Sequence, residues 1–429
     1  MFGFILKGIL RDRSRTLFPI LVVGAGVLII VFTLAFMQGY TDSIIRQNAR
    51  YETGHVKIVT NAYAELINQK PYDLVLLSIE DEIQEWKTAY PEITFVPRIT
   101  FGALLDVPDP QGNTRAQGDV FGYAVDLGLG SPSQDDAPEI KHLNLREAIV
   151  EGHIPSRPGE IMLSHKAFER LELALGDTIT LIGATAFGSM AFQNFRIAGT
   201  LIFGFEALDR GGIIADIDDI RHFLDMEDGA GEILGFFNDG KYQIPRAERF
   251  KNDFNSRFSD SEDEFSPVML NLTDQNNMAS LIRLMDFSLD SITVVFIFIM
   301  GIVLWNSGLM NCIRRYGEIG VRLAMGERKH HLYMNLLAEA ALIGILGSAL
   351  GTVLGLLVSS YFNAYGLDVS AYNRESSIMS ESIIYTTIDL KTTLWGFIPG
   401  VASTILGAML AGLVIFKRKT SQLFKELEV

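Results

Sequence analysis

A short segment, residues 313–331, combines apolar and charged side chains at a spacing that suits protein binding. If it is helical, three apolar side chains share one face at i, i+3 and i+7: Tyr316, Ile319 and Leu323. A parallel charged stripe has the same spacing: Arg315, Glu318 and Arg322. Apolar anchors with a charged border suit insertion into a groove on a soluble partner. A helix that lies on lipid headgroups shows the same pattern, so the spacing alone leaves both interpretations open.

The rest of the sequence offers no motif for catalysis. It contains no G-x-x-x-x-G-K-[ST] phosphate loop, no H-E-x-x-H and no G-x-S-x-G. Most of the seven histidines are scattered, and we expect them to have solvated or interfacial roles. We therefore expect no catalytic residues, no metal and no cofactor in this chain. If ATP drives the protein, a second polypeptide must bind it.

Charge and hydrophobicity are segregated along the chain. The 429 residues are 48% hydrophobic and carry a net charge of −15. Residues 40–290 hold 21 basic and 41 acidic side chains, a difference of −20, which leaves +5 for the rest of the chain. The composition indicates a large acidic soluble domain inserted among apolar helices with basic flanks. Such acidity argues against nucleic acid as a partner, because phosphate binding requires a basic surface.

Four apolar runs reach the roughly 20 residues that a bilayer core requires. They are residues 17–37, 291–312, 332–362 and 392–416. Basic residues precede the first run, lie between the second and third, and follow the fourth, whereas the third-to-fourth connection is acidic. The positive-inside rule places both termini and the second-to-third loop in the cytoplasm and the acidic domain outside.

The predicted fold class is a membrane α-helical protein with four transmembrane helices and a large inserted extracytoplasmic α+β domain on a two-helix stalk. The second stalk helix is expected over 273–290, capped by Thr273 and Asp274. Outside the spans, we expect an interfacial helix over 1–16, the stalk and outer domain over 38–290 and the coupling loop over 313–331. An outer loop is expected over 363–391 and a cytoplasmic tail over 417–429.

The third run carries a ladder of small residues and one charge. Its glycines recur largely at four-residue spacing, which in lipid lets helices approach closely: Gly344, Gly347, Gly351 and Gly355. Glu339 is the only charge inside the four runs. A carboxylate in a span is costly and suggests function. Here it serves either as a structural partner for the cytoplasmic segment or in transmitting motion.

The central part of the chain resembles a known family. The R-x-x-E-I-G-x-x-R-A-x-G…E…G-x-x-x-G stretch of the MacB/FtsX-type ABC transporter permeases resembles the set Arg314, Arg315, Glu318, Ile319, Gly320, Arg322, Ala324, Gly326, Glu339, Gly347 and Gly351. The resemblance implies that residues 313–331 dock on a separate cytoplasmic ABC ATPase. It implies two ATPase copies, which bind ATP and Mg, and a second permease subunit in a homodimer or heterodimer.

The resemblance also implies a mechanism and a location. ATPase closure would tilt the spans and stalks, so that the outer domain does work on a substrate at the outer face of a bacterial inner membrane. The GHVKI sequence at 54–58 is similar to the lipoprotein-releasing branch. A lipoprotein, lipid or other hydrophobic substrate is therefore expected, with a possible periplasmic acceptor. The alternatives are export of a small molecule or peptide with a periplasmic adaptor, and signalling that activates a cell-wall hydrolase.

Overall fold

The computed structural model describes residues 13–417 except 110, 130–133, 135–136, 205, 259–262, 315 and 370–382. The expected interfacial helix 1–16 and the tail 417–429 lie almost entirely outside the described residues. The chain divides into two compact units. We call residues 1–42, 282–368 and 383–429 the helical unit, and residues 43–281 with 369–382 the sheet unit.

The α-helices are numbered in chain order. They are α1 (Arg13–Asn48), α2 (Asn61–Glu65), α3 (Ile79–Ala89), α4 (Pro138–His142), α5 (Leu145–Ala148), α6 (His165–Arg170), α7 (Glu206–Asp209), α8 (Ile217–Leu224), α9 (Ile244–Ser256), α10 (Met278–Arg314), α11 (Tyr316–Ala324), α12 (Lys329–Tyr365) and α13 (Leu390–Lys417). Four of them are long and apolar enough to cross a membrane among the residues described: α1, α10, α12 and α13.

The strands are likewise numbered in chain order. They are β1 (Val56–Thr60), β2 (Leu76–Leu77), β3 (Ile93–Pro108), β4 (Thr114–Val125), β5 (Ile149–Gly152), β6 (Glu160–Ser164), β7 (Thr178–Ala184), β8 (Met190–Leu201), β9 (Gly212–Asp216), β10 (Gly229–Ala230), β11 (Glu232–Phe237), β12 (Pro267–Asn271), β13 (Leu367–Asp368) and β14 (Ile383–Ile384). All but β13 and β14 belong to the sheet unit.

The membrane-type helices are longer than a bilayer requires. Helix α1 has 36 residues and helix α12 has 37, which correspond to about 54 and 55 Å at 1.5 Å per residue. A hydrocarbon core is about 30 Å thick. Each helix therefore extends well beyond the core, and many of the apolar side chains in the spans are exposed, as a lipid-facing surface requires.

The main sheet has ten strands, and six of them close into a ring. The order along the sheet is β12-β1-β11-β3-β4-β9-β6-β8-β5. Strand β7 pairs with both β3 and β8, so the sequence β3-β4-β9-β6-β8-β7 returns to β3. Two of these pairings are parallel, β4 with β9 and β6 with β8. Strands β11, β1 and β12 extend the sheet outward from β3.

Three hydrophobic clusters hold the sheet unit together. The first draws on all six ring strands, with Phe101, Val120 and Phe195 among its fully buried members. In the second, Trp86 of α3 meets Phe254 of α9 edge to face, with ring centroids 5.5 Å apart. The third packs α4 and α5 against the ring. These clusters provide the core that a domain without disulfides needs.

The predicted fold class is confirmed: the described residues include four candidate transmembrane helices, and a sheet-rich domain lies between the first and the second in the sequence. The predicted start of the second long helix is wrong. Residues Leu272–Asp274 form a separate 3₁₀ turn, closed by a capping box between Asn271 and Asp274. Helix α10 begins only at Met278, because Asn276 and Asn277 take positive φ values of 50° and 55° that a helix excludes.

Candidate functional site

The candidate coupling segment contains one short helix that ends in a tight turn. Helix α11 has nine residues. The Gly326 N–H donates to the Leu323 carbonyl at 3.1 Å, and the Glu327 N–H donates to the Arg322 carbonyl at 3.1 Å. This is a Schellman motif, with Gly326 in the left-handed region at φ 89°. These two hydrogen bonds end helix α11 just before Gly326.

Two apolar side chains of this segment are exposed. Met325 is 75% exposed and Val321 is 52% exposed. Leu323 and Arg322 are half-buried. The other predicted coupling side chains lie outside the described residues: Arg315, Tyr316, Glu318 and Ile319. Val321 and Met325 were not predicted from the i, i+3, i+7 face, because Val321 lies about 200° around the helix axis from Leu323 and Met325 follows the last residue of α11.

The turn after α11 leads directly into α12. The carbonyl of Arg328 accepts from the His331 N–H at 2.9 Å. The His331 imidazole Nδ1 lies 2.7 Å from the Glu327 carboxylate. Only four residues, Met325 to Arg328, connect α11 to α12, so a displacement of α11 is passed to α12 through a short connection.

The glycine ladder of α12 packs against α1 of the same chain. A Cβ built on Gly347 would lie 2.7 Å from the Cβ of Val23. One on Gly355 would lie 2.8 Å from the Cβ of Val31. One on Gly351 would meet the carbonyl oxygen of Gly24. Side chains have no room at these positions, so the ladder forms a close contact between the first and third spans.

The first glycine of the ladder faces a different helix. A Cβ on Gly344 would meet the Thr404 hydroxyl of α13. Helix α13 remains continuous through Pro399, and a Cβ on its Gly400 would meet Ser348 of α12. Helix α12 therefore packs closely against both α1 and α13.

Glu339 lies in α12 and is half-buried. It has an interaction partner in the structure. Its two predicted roles, a structural contact and a part in transmitting motion, both remain predictions.

The sheet unit contains a fully buried ion pair that the sequence did not indicate. Arg98 and Glu139 both have 0% of their side chains exposed, and Arg98 Nη2 lies 2.8 Å from Glu139 Oε2. Arg98 Nε and Nη2 also donate to Glu139 Oε1. Its Nη1 donates to the backbone carbonyls of Arg50 and Tyr51. The pair thus ties β3 and α4 to the turn that follows α1.

A second group of charges lies near it. Lys57 Nζ is 2.9 Å from Glu232 Oε1, and both side chains are 2% exposed. Lys70 Nζ is 3.0 Å from Glu52 Oε2. Burial raises the pKa of Glu232, but Lys57 and Lys70 outweigh burial and hold that pKa below its ordinary value. The sequence signal was present: Lys57 interrupts an otherwise apolar strand, V-K-I-V, all of which is buried.

One histidine differs from expectation. His55 is buried and its Nδ1 accepts a hydrogen bond from the Phe237 N–H at 2.9 Å. Burial lowers its pKa from 6.5 to about 4. The predicted solvated or interfacial role is therefore wrong for His55, which is a neutral core residue. Among the described residues, no group of three His, Cys, Asp or Glu side chains is placed to hold a metal ion.

Comparison with known proteins gives one family match and several partial relatives. The family described as FtsX-like permease C-terminal matches residues 291–420. The macrolide export ATP-binding/permease protein MacB of Mannheimia succiniciproducens is 29% identical over 132 residues, which cover 31% of this chain and 20% of that protein. The MacB protein of Wolinella succinogenes is 35% identical over 100 residues, which cover 22% of this chain and 16% of that protein.

The chain thus spans a fifth or less of the length of these curated relatives. Among solved structures, the periplasmic region of MacB from Actinobacillus actinomycetemcomitans is similar, with a TM-score of 0.35 and 9% identity over 54% of this chain and 94% of that chain. Residues 291–420 thus match an FtsX-like permease C-terminal domain, and part of the chain is similar to MacB proteins.

Proposed function

We propose that a separate cytoplasmic ABC ATPase docks on residues 313–331 of this permease. The observation that carries the proposal is the exposure of Val321 on α11 and of Met325 in the turn directly after it, between two spans. Exposed apolar side chains on a helix flanked by charges are typical anchors for a groove on a partner. Leu323 and the predicted Tyr316 and Ile319 form a second apolar face, bordered by Arg315, Glu318 and Arg322. Val321 lies about 200° around the helix axis from Leu323, so two sides of the segment are offered to the partner.

The proposed mechanism is mechanical transmission. Movement of α11 passes through the four-residue turn around Gly326 to α12, a continuous helix of 37 residues. Helix α12 is in close contact with α1 through Gly347, Gly351 and Gly355. Such close contacts favour joint movement of α1 and α12, because backbones that touch leave no space in which one helix can move alone.

The proposed assembly follows the family. The permease has both termini in the cytoplasm and its sheet unit outside, in a bacterial inner membrane. Two copies of the ATPase bind ATP and Mg, and a second permease subunit, identical or related, completes the complex. The permease itself carries out no nucleotide chemistry.

The proposed substrate is a lipoprotein, lipid or other hydrophobic molecule at the outer face of the membrane. The G-H-V-K-I sequence at 54–58 supports the lipoprotein-releasing branch. A second candidate is export of a macrolide or similar small molecule with a periplasmic adaptor, since the partial relatives are named as macrolide export proteins. Signalling to a cell-wall hydrolase is the third.

Copurification with the ATPase tests the docking surface. Met325→Asp and Leu323→Asp place a charge where an apolar contact is proposed. Loss of a buried anchor costs about 2 kcal/mol or more, so ATPase affinity should fall more than about tenfold. Glu318→Ala should have a smaller effect, since a border charge mainly sets registry and association rate.

The matched control is Phe187→Asp, which introduces the same charge at an apolar residue that is 78% exposed in the sheet unit. It should leave ATPase recovery unchanged. If Met325→Asp and Leu323→Asp permeases recover as much ATPase as the wild type at equal expression, residues 313–331 lie on lipid and the ATPase docks elsewhere.

A further inference from the structure

The sheet unit contains a pocket of about 430 Å³ that the proposed coupling role does not use. Its walls come from the end of α1 and the turn after it, from β1 and the segment after α2, and from the start of α10. All its lining residues belong to the sheet unit. The volume is within the range of roughly 300–1,000 Å³ that is typical of small-molecule sites.

One wall of the pocket carries an accessible ion pair with unused bonding capacity. Lys70 and Glu52 each have about one-fifth of their side chain exposed. The Lys70 ammonium donates to Glu52 Oε2 and to the Thr100 hydroxyl, which leaves one of its three protons for another acceptor. Glu52 Oε1 accepts from the Tyr123 hydroxyl, and a carboxylate has further lone pairs.

The charges around this wall sum to zero. Lys57 also lines the pocket, and its ammonium is paired with the buried Glu232 at 2.9 Å. Two cations therefore stand against two anions. A ligand with a large net charge gains little from such a wall, whereas a head group with one positive and one negative end can pair with both accessible charges.

Three apolar side chains also line the pocket, Ile67, Met278 and Leu281. The remaining lining side chains are amides: Asn48, Asn68, Gln275 and Asn276. Met278 is almost fully buried, and an unbranched methionine adapts readily to the shape of an apolar guest. A ligand that contacts both the Lys70–Glu52 pair and these apolar side chains carries an apolar chain next to its polar head.

We propose that this pocket binds a zwitterionic amphiphile of the phosphoethanolamine-lipid class. The phosphate pairs with the Lys70 ammonium, the ligand ammonium pairs with the Glu52 carboxylate, and the acyl chains lie against Ile67, Met278 and Leu281. A bound ligand bridges the end of α1 to the start of α10 and so opposes their separation. The site does not depend on where the ATPase docks.

Calorimetric titration of the full chain, held in an amphipathic polymer rather than a micelle, tests the proposal. The probe is dihexanoyl phosphatidylethanolamine below its critical micelle concentration. We expect saturable binding with one ligand per chain. Hydrogen exchange at residues 275–281 should slow on binding, which assigns the heat to this pocket. Dihexanoyl phosphatidylglycerol, which has the same chains but an anionic head, should bind at least tenfold more weakly.

Two variants change the pocket with little change of shape. Lys70→Met removes the cation, and Glu52→Gln removes the anion but keeps an acceptor for Tyr123. Each should weaken binding of the phosphatidylethanolamine probe at least tenfold. Lys87→Met, at an exposed lysine of α3, should not change it.

Three results would overturn the proposal. One is equal binding of the two lipids, and another is unchanged binding by both Lys70→Met and Glu52→Gln. The third is O-phosphoethanolamine binding as tightly as the lipid, which would assign the pocket to a soluble zwitterion instead.

Discussion

Gly351 of α12 lies so close to Gly24 of α1 that a Cβ on Gly351 would overlap the Gly24 carbonyl oxygen. The two helices meet backbone to backbone at this point. In a lipid environment, where no hydrophobic effect drives helices together, such contacts supply much of the association energy. The first and third spans are therefore joined at a point that has no room for an added side chain.

The Gly351 contact predicts that Gly351→Ala destabilises the helical unit by about 1–3 kcal/mol, the usual cost of overpacking. The effect has the opposite sign to helix propensity, which favours alanine over glycine by up to about 1 kcal/mol. Gly301→Ala in α10 is the control, because a Cβ on Gly301 meets nothing within 4 Å. Thermal unfolding of both variants in detergent measures the difference. Equal stability of the two variants would contradict the close contact.

The buried Arg98–Glu139 pair predicts a large and specific loss of stability in the sheet unit. Glu139→Gln leaves the Arg98 guanidinium buried without a countercharge, and breaking a buried pair costs about 3–5 kcal/mol. The double variant Arg98→Met with Glu139→Leu removes both charges and should recover most of that loss. Denaturant unfolding followed by Trp86 fluorescence measures it, with Trp305 and Trp395 replaced by phenylalanine.

A double variant that is no more stable than Glu139→Gln alone would mean that the pair acts through its shape and its backbone hydrogen bonds rather than through charge.

Two histidines, the buried His55 and the half-buried His142, predict that the sheet unit loses stability on acidification. Burial lowers the pKa of both His55 and His142 to about 4. At a pH above about 6.5, the ordinary histidine pKa, both side chains are neutral in the folded and the unfolded chain, so they do not change the free energy of unfolding. Between pH 6.5 and 4 the unfolded chain takes up protons that the folded chain does not, so stability falls as pH falls, by at most about 3 kcal/mol per histidine.

His142→Phe tests this pH dependence. The His142 ring stacks on Phe236 with centroids 4.0 Å apart, and phenylalanine preserves that contact while removing the proton site. The fall in stability between pH 6.5 and 4, measured by Trp86 fluorescence, should become shallower. His222→Gln, at an exposed histidine, is the control and should leave the slope unchanged. An unchanged slope in His142→Phe would rule out His142 as a contributor.

The proposed topology predicts opposite accessibility for two exposed positions. In a Cys312→Ser background, Thr88→Cys in α3 should react with a membrane-impermeant thiol reagent in intact spheroplasts. Met325→Cys should react only after permeabilisation. Labelling of Met325→Cys in intact spheroplasts would mean that the protein has the opposite orientation in the membrane.

The helical unit was largely predictable, for physical reasons that particular residues illustrate. Runs of about 20 apolar residues have few alternatives to a membrane helix, and the spacing of Gly347, Gly351 and Gly355 indicates a close contact. The sequence did not reveal that Gly24 and its neighbours form the other side of that contact. Register between helices depends on packing in three dimensions, which a one-dimensional pattern does not contain.

The sheet unit was less predictable. Arg98 and Lys57 occupy strands, where a charged residue normally indicates a solvent-facing position, yet each is buried with a partner distant in sequence. The coupling segment shows the same limit. Met325 is exposed and follows the last residue of α11, whereas a prediction from the helical face considers only residues inside the helix.

The double pairing of β7 has a mechanical consequence. A strand at an open edge can be peeled away one hydrogen bond at a time under a small pulling force. In the ring formed by β3, β4, β9, β6, β8 and β7, every strand has a neighbour on both sides. A load applied along any of these strands is therefore resisted in shear by two ladders at once, and the ring can bear tension as a stiff element without unravelling.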